Sequence, residues 1–178
     1  ALLKTDYKNK SFFNISKDDV QRAENIKAIG YGFGKNYSSD IKITGGIVSS
    51  LSGFNDNYSE FQMDAAIQSG NSGGPVLNDN GDVVGISVSA LDSIAVYEDT
   101  GTLPQNVNYA IKASTLKQFL LAKETHFEEN SPGWFSFSNN VSEINEKIDN
   151  AAVYLSCYMT YAQIEENITT KTMFESFD

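Results

Sequence analysis

Glycine sets the tightest limit on what this chain can fold into. Twelve of its 13 glycines lie before residue 124, and they cut that stretch into short apolar runs. Residues 26–29 run into Gly30-Tyr31-Gly32-Phe33-Gly34, and residues 41–51 pass through Gly45-Gly46. Residues 61–67 lead toward Gly70, while 75–77 and 83–88 flank Asn78-Asp79-Asn80-Gly81. Each interior glycine costs a helix about 1 kcal/mol relative to alanine, so no long helix fits here. Short apolar runs between turn residues read as strands, and Asn-Gly between two of them is a strong hairpin signal. A further strand is predicted over residues 107–111, and Ser114 can cap a helix running to about Lys123 with Leu116, Phe119 and Leu120 on one face. Six or so short strands and a closing helix predict a mainly β chain, arranged as an antiparallel barrel.

The remaining third of the chain has a different character. Residues 124–178 hold 2 basic and 10 acidic residues, against 11 and 13 in residues 1–123. Apolar residues fall at 141, 144, 148, 151, 152, 155, 159 and 162, which is helical spacing, and Asn140 with Glu143 resembles a capping box. Trp134, Phe135 and Phe137 are expected to dock the connecting segment on an apolar surface. The organisation read from the sequence is therefore a barrel with its closing helix over 1–123, then an acidic tail with one amphipathic helix over 124–178.

Charge and scarce residue types exclude several functions. Over 178 residues the net charge is −10, whereas a nucleic-acid or anionic-membrane binder carries a basic footprint. No apolar run approaches the ~18 residues of a membrane span. The single cysteine, Cys157, allows no internal disulfide and no cysteine metal cluster, and the single histidine, His126, allows no multi-imidazole site. No metal and no cofactor is expected.

The motif that carries chemistry is Gly70-Asn71-Ser72-Gly73-Gly74-Pro75. Glycines around one serine permit a tight turn and a close backbone approach. Such a turn can aim the amides of Gly70 and Ser72 at one point, where an oxyanion would sit, with the serine hydroxyl at the rim. On composition alone, a glycine-rich turn between two strands accounts for the same residues.

The string Asp64-Ala65-Ala66-Ile67-Gln68-Ser69 leading into this motif, with Val76-Leu77 and Asn80-Gly81-Asp82-Val83-Val84-Gly85-Ile86 after it, closely resembles the nucleophile region of chymotrypsin-fold serine proteases of the HtrA/Deg kind. The likeness extends to Ala28-Ile29-Gly30, Phe33-Gly34, Thr44-Gly45-Gly46-Ile47-Val48-Ser49 and Asn108-Tyr109-Ala110-Ile111. It covers roughly residues 1–123 and not the tail, in which no peptide-binding PDZ module is recognisable. The resemblance implies that Ser72 is the catalytic nucleophile and that the amides of Gly70, Asn71 and Ser72 form the oxyanion loop. It also implies that Ile67 lines the pocket for the substrate side chain before the cut, and that Val88, Ser89 and Ala90 offer the strand edge on which a peptide or protein substrate pairs. Ala66 stands where trypsins carry aspartate, which implies a preference for small or medium apolar side chains. Asp64 is expected to be a structural carboxylate. Asn71 stands where digestive proteases carry an aspartate that pairs with a new amino terminus, so activation by that route is not expected.

The main departure is the missing base. Serine is a weak nucleophile without a neighbouring base, and in this fold His and then Asp precede Ser in the chain. No histidine precedes Ser72. His126, in the acidic tail, is expected to be a surface residue. The first residue is Ala1, no signal peptide is expected in these residues, and Ala1-Leu2-Leu3-Lys4 resembles the stretch that follows the triad aspartate in the family. The expectation is a carboxy-terminal barrel of a two-barrel serine endopeptidase, inactive alone, whose partner is the missing amino-terminal barrel. The alternative is a catalytically dead relative that binds peptide for scaffolding or regulation. A periplasmic or extracytoplasmic home is implied by the resemblance alone. Separation from a partner barrel would bare an apolar face. Self-association through an unpaired strand beginning at Leu2 and Leu3 is one means of hiding it, and is placed ahead of coverage by the tail stripe Val141, Ile144, Ile148, Ala152, Leu155 and Met159. The parent reading frame is expected to carry Asp two residues before Ala1 and a His some tens of residues earlier. Sequencing the gene upstream checks this, and the absence of both would favour the binding module.

Overall fold

The computed structural model describes residues 2–6, 11–34, 38–90, 97–98, 101–102, 105–130, 141–156, 158, 160–163 and 165. The expectations for Trp134, Phe135, Phe137, Asn140, Cys157 and Met159 lie outside these residues. Eight strands form one sheet: β1 (Ile15–Ser16), β2 (Asn25–Gly30), β3 (Lys42–Ser50), β4 (Glu60–Met63), β5 (Pro75–Leu77), β6 (Val83–Ala90), β7 (Asn108–Lys112) and β8 (Glu129–Asn130). The order β5-β2-β3-β4-β7-β6 closes on itself because β5 also pairs with β6, which gives a six-stranded antiparallel barrel. The described residues are mainly β, built around this closed barrel. Helix α1 (Ala113–Ala122) follows β7, and α2 (Val141–Ala151) lies in the tail.

Period-two alternation decides which side chains fill the barrel. Along β2, Ile26 and Ala28 enter one buried cluster with Val48, Phe61, Met63, Val76, Val84 and Ala110, while Ile29 turns to the other face. Along β5, Val76 and Leu77 divide the same way. The outward set, Ile29, Leu77 and Val83, is covered by Ile148 of α2, with Leu116 of α1, Ile144 and Ala152 packed around it. Ile148 is only 1% exposed. The tail therefore covers apolar barrel surface at Ile144, Ile148 and Ala152, while Val141 and Leu155 of the expected stripe stay exposed. Leu2 and Leu3 are exposed and pair with no strand among the described residues.

The Asn-Gly hairpin forms between β5 and β6. Asn78 Oδ1 accepts from the amides of Asn80 and Asp82, each at 3.0 Å, and Gly81 N donates to Asn78 O at 3.1 Å. Other elements differ from the sequence expectation for local reasons. The strand expected over 61–67 stops at Met63, because Asp64 accepts the Ile47 amide through Oδ1 at 2.6 Å and the chain then leaves the ladder. Asp64 is thus a structural carboxylate. Ser114 sits inside the first turn of α1 and not at its cap. Its amide and hydroxyl both donate to the Asp19 carboxylate, at 3.0 and 2.6 Å, so a side chain 95 residues away satisfies the helix start. The two-residue strands β1 and β8 pair in parallel, Ile15 with Glu129 and Ser16 with Asn130, and join the tail to the sheet. Pieces this short carry no period that a sequence could display.

The hairpin is also tied to β2. Asp79 accepts from Lys27 Nζ at 2.6 Å and from Asn25 Nδ2 at 3.1 Å. The Lys27 hydrogen bond holds the Asp79 carboxyl below its ordinary range, with desolvation opposing it. A depressed carboxyl adds stability above the ordinary carboxylate range and loses it as pH falls through the folded value. Both side chains are partly exposed, so the contribution is at most about 1 kcal/mol. Asp79→Asn is expected to lower the urea midpoint slightly at pH 7. The gap should close as the pH drops below the carboxylate range, as chemical denaturation across pH will test.

Candidate active site

Residues 68–74 form a compact turn that leads into β5. Asn71 N donates to Gln68 O at 2.9 Å, and Gly74 N donates to Asn71 O at 2.9 Å. β6 braces the turn from the side. Gly73 N donates to Ser87 O at 2.7 Å, and Ser87 N donates to Gly74 O at 2.9 Å. The buried Ser87 hydroxyl donates to Asn71 O at 2.6 Å and lies 3.1 Å from Gly74 O. Gly70 has φ +100°, and a Cβ there would stand 2.7 Å from Tyr31 O. Only glycine meets both conditions.

Ser72 stands exposed at the rim, and its Oγ donates to Val88 O at 2.5 Å. Of the three amides matched to the oxyanion loop, that of Asn71 is committed to Gln68. Those of Gly70 and Ser72 have no hydrogen-bond partner among the described residues. Two free amides beside an exposed hydroxyl can receive a developing negative oxygen. The Val88 carbonyl orients the Ser72 hydroxyl but cannot take its proton, so a base must come from elsewhere.

The neighbouring strand edge lacks a paired strand among the described residues. β5 pairs with β6 only as far as Pro75 opposite Ile86, whereas Ser89 and Ala90 pair with Tyr109 and Asn108 on the other side. Beyond Ile86 the turn-side edge of β6 has no strand partner among the described residues, although Val88 O accepts from Ser72 Oγ. Ala66 is exposed, and its carbonyl accepts from Thr44 Oγ1 at 2.7 Å. Ile67 is 7% exposed and packs in the barrel core with Val20, Ile26 and Ala65. His126 is exposed in the segment between α1 and β8. Among the described residues no cluster of His, Cys, Asp and Glu could hold a metal ion, and no helix is long and apolar enough to cross a membrane.

Three features of the site escaped the sequence reading. Ser87 braces the turn, but a serine inside an apolar run reads as strand filler. Asn108 donates to Ala65 O at 3.0 Å from a buried position, which fixes the chain two residues before Ile67. The loop at Tyr31–Gly34 packs on the turn, with Phe33 N donating to Ser69 O at 2.6 Å. The glycines of that loop were legible, but their neighbour, 35 and more residues along the chain, was not.

The model of the trypsin-like peptidase domain matches residues 1–86. The chain is 44% identical over 91 residues, 49% of its length, to a probable periplasmic DegP-like serine endoprotease of Pseudomonas putida, of which this covers 18%. It is 32% identical over 129 residues, 68% of its length, to the mitochondrial serine protease HTRA2 of Bos taurus, of which this covers 24%. It is also 33% identical over 122 residues, 68% of its length, to the uncharacterized protein y4bJ of Sinorhizobium fredii, with 19% of that protein covered. By these matches and its barrel, the chain resembles part of the HtrA-like serine proteases of trypsin fold. The chain spans 18 to 24% of the length of these relatives.

The Ser87 brace yields a stability test. Removing this buried hydroxyl takes one hydrogen bond from carbonyls that keep a backbone donor each, and costs about 0.5–1.5 kcal/mol. Ser87→Ala is expected to destabilise the chain by that amount in urea titration, whereas exposed Ser72→Ala should stay within about 0.5 kcal/mol of the parent.

Proposed function

We propose that this chain supplies the nucleophile half of a serine endopeptidase acting on peptide or protein substrates. Ser72 attacks the scissile carbonyl, the amides of Gly70 and Ser72 hold the oxyanion, and the substrate backbone pairs along Val88–Ala90. The observation that carries this reading is the pair of amides without a hydrogen-bond partner among the described residues, flanking an exposed serine hydroxyl beside a β6 edge that β5 leaves unpaired beyond Ile86. Asn71 contributes through its backbone, whose carbonyl is anchored by Ser87. Ala66, exposed, lines the specificity pocket, and Ile67 sets the pocket wall from behind, through the core.

The base that removes the Ser72 proton lies outside these 178 residues. In support, the chain's one histidine is exposed in the tail, and the Ser72 hydroxyl is held by a carbonyl. Residues 1–123 act as the protease barrel, and residues 124–178 as a tail that seats on it. An extracytoplasmic home follows the names of the periplasmic relatives.

A fluorophosphonate probe tests the assignment, because it reports an activated serine without needing a known substrate. Loss of triad partners costs thousands-fold or more in rate. The 178-residue chain is expected not to label, while the full product of the gene labels and loses the label on Ser72→Ala. Labelling of Ser72 in the 178-residue chain would place the base inside it. Failure of the full product to label would favour a catalytically dead peptide-binding module.

A further inference from the structure

The tail does more than cover apolar surface: it reaches the loop on which the Ser72 turn rests. Beyond α2, Tyr154 packs edge-on against Tyr31, with ring centroids 5.4 Å apart and planes at 76°. Its hydroxyl oxygen lies 3.3 Å from the point where a side chain would begin at Gly34. Such aromatic pairs contribute beyond the area they bury. The contact is anchored at its other end by Ile148, buried against Ile29, Leu77 and Val83, and by Ile144 against Gly81.

The Tyr31–Gly34 loop meets the turn at three points. Phe33 N donates to Ser69 O at 2.6 Å. Tyr31 O occupies the space beside Gly70. Gly32 and Gly30 leave room for the Asn71 side chain, whose Oδ1 lies 3.1 and 2.7 Å from where their Cβ atoms would stand. The loop is held in an unfavourable conformation, since Phe33 adopts φ +63° and is not a glycine. Within the interface, Asn71 Oδ1 is buried with no hydrogen-bond partner among the described residues. A strained loop with an unsatisfied acceptor at its contact keeps its position only while its surroundings hold it.

We infer that the tail is an intramolecular buttress of the nucleophile turn, with Tyr154 as a positioning residue acting through Tyr31 and Phe33. This rests on the endopeptidase reading for its consequence, namely control of the Gly70 and Ser72 amides from the tail. The geometric coupling itself is independent of that reading. A partner that lifts the tail would loosen the turn, and one that clamps the tail would tighten it.

Amide hydrogen exchange followed by NMR on the 178-residue chain tests the coupling without any turnover. Tyr154→Ala is expected to speed exchange at the amides of Phe33 and Asn71 at least tenfold. Amides of the β2–β3 ladder should be unchanged, and Tyr154→Phe, which keeps the ring contact, should restore the parent rates. A merely structural role would move the ladder and the loop together. If Tyr154→Ala accelerates exchange throughout, Tyr154→Leu replaces it, because it keeps apolar cover but loses the edge-on ring. Parent rates at Phe33 and Asn71 in a folded Tyr154→Ala or Tyr154→Leu chain would overturn the inference. Fluorophosphonate labelling of the full gene product, which tests the endopeptidase reading, fails or succeeds separately from this exchange result.

Discussion

The closure of the sheet by β5 is the constraint on which the rest depends. Three residues, Pro75–Leu77, pair with β2 on one side and β6 on the other. Without them the other five barrel strands would form an open sheet. β5 is short because the turn at 68–74 feeds directly into it, and that turn borrows the next positions of β6 through Gly73, Gly74 and Ser87. Barrel closure and the geometry at Ser72 are therefore one hydrogen-bonded unit. The same shortness leaves 88–90 without a strand partner on the turn side among the described residues, where Val88 O instead accepts from Ser72.

A second layer of support comes from outside the barrel. Strands of alternating pattern leave Ile29, Leu77 and Val83 facing outward, and those residues are apolar. An exposed apolar face of this kind is rare on proteins that remain monomeric. Here α2 answers it by burying Ile148 on that face, while its acidic residues, such as Glu143 and Glu146, stay exposed. The tail thereby gains a fixed seat from which Tyr154 reaches the Tyr31–Gly34 loop. Charge and docking are divided between opposite faces of one helix, as its spacing requires.

Much of the barrel was legible. The strands over 25–30, 42–50, 75–77 and 83–90 follow apolar runs, and the β5–β6 hairpin follows its Asn-Gly signal. The turn at Ser72 was legible because glycines on both sides of one serine favour a sharp reversal over a helix or a continuous strand. What escaped was set by partners distant in the chain. Ser114 looked like a cap until Asp19 took its amide, and β4 looked longer until Asp64 turned toward Ile47. The strands β1 and β8 exist only because each lies against the other and β1 against β6.

The sequence alone determined that this chain builds short strands, turns sharply at glycine, presents one serine in a tight glycine-rich turn and carries an acidic helix at its end. These are local properties, set by backbone freedom, side-chain period and charge. The tertiary structure decided which amides beside Ser72 stay unpartnered, that Val88 holds its hydroxyl, that Ser87 braces the turn, and that the tail helix seats on the outer face of the barrel. Each of these depends on groups far apart in the chain meeting within hydrogen-bond or van der Waals reach. No spacing along a sequence encodes that distance.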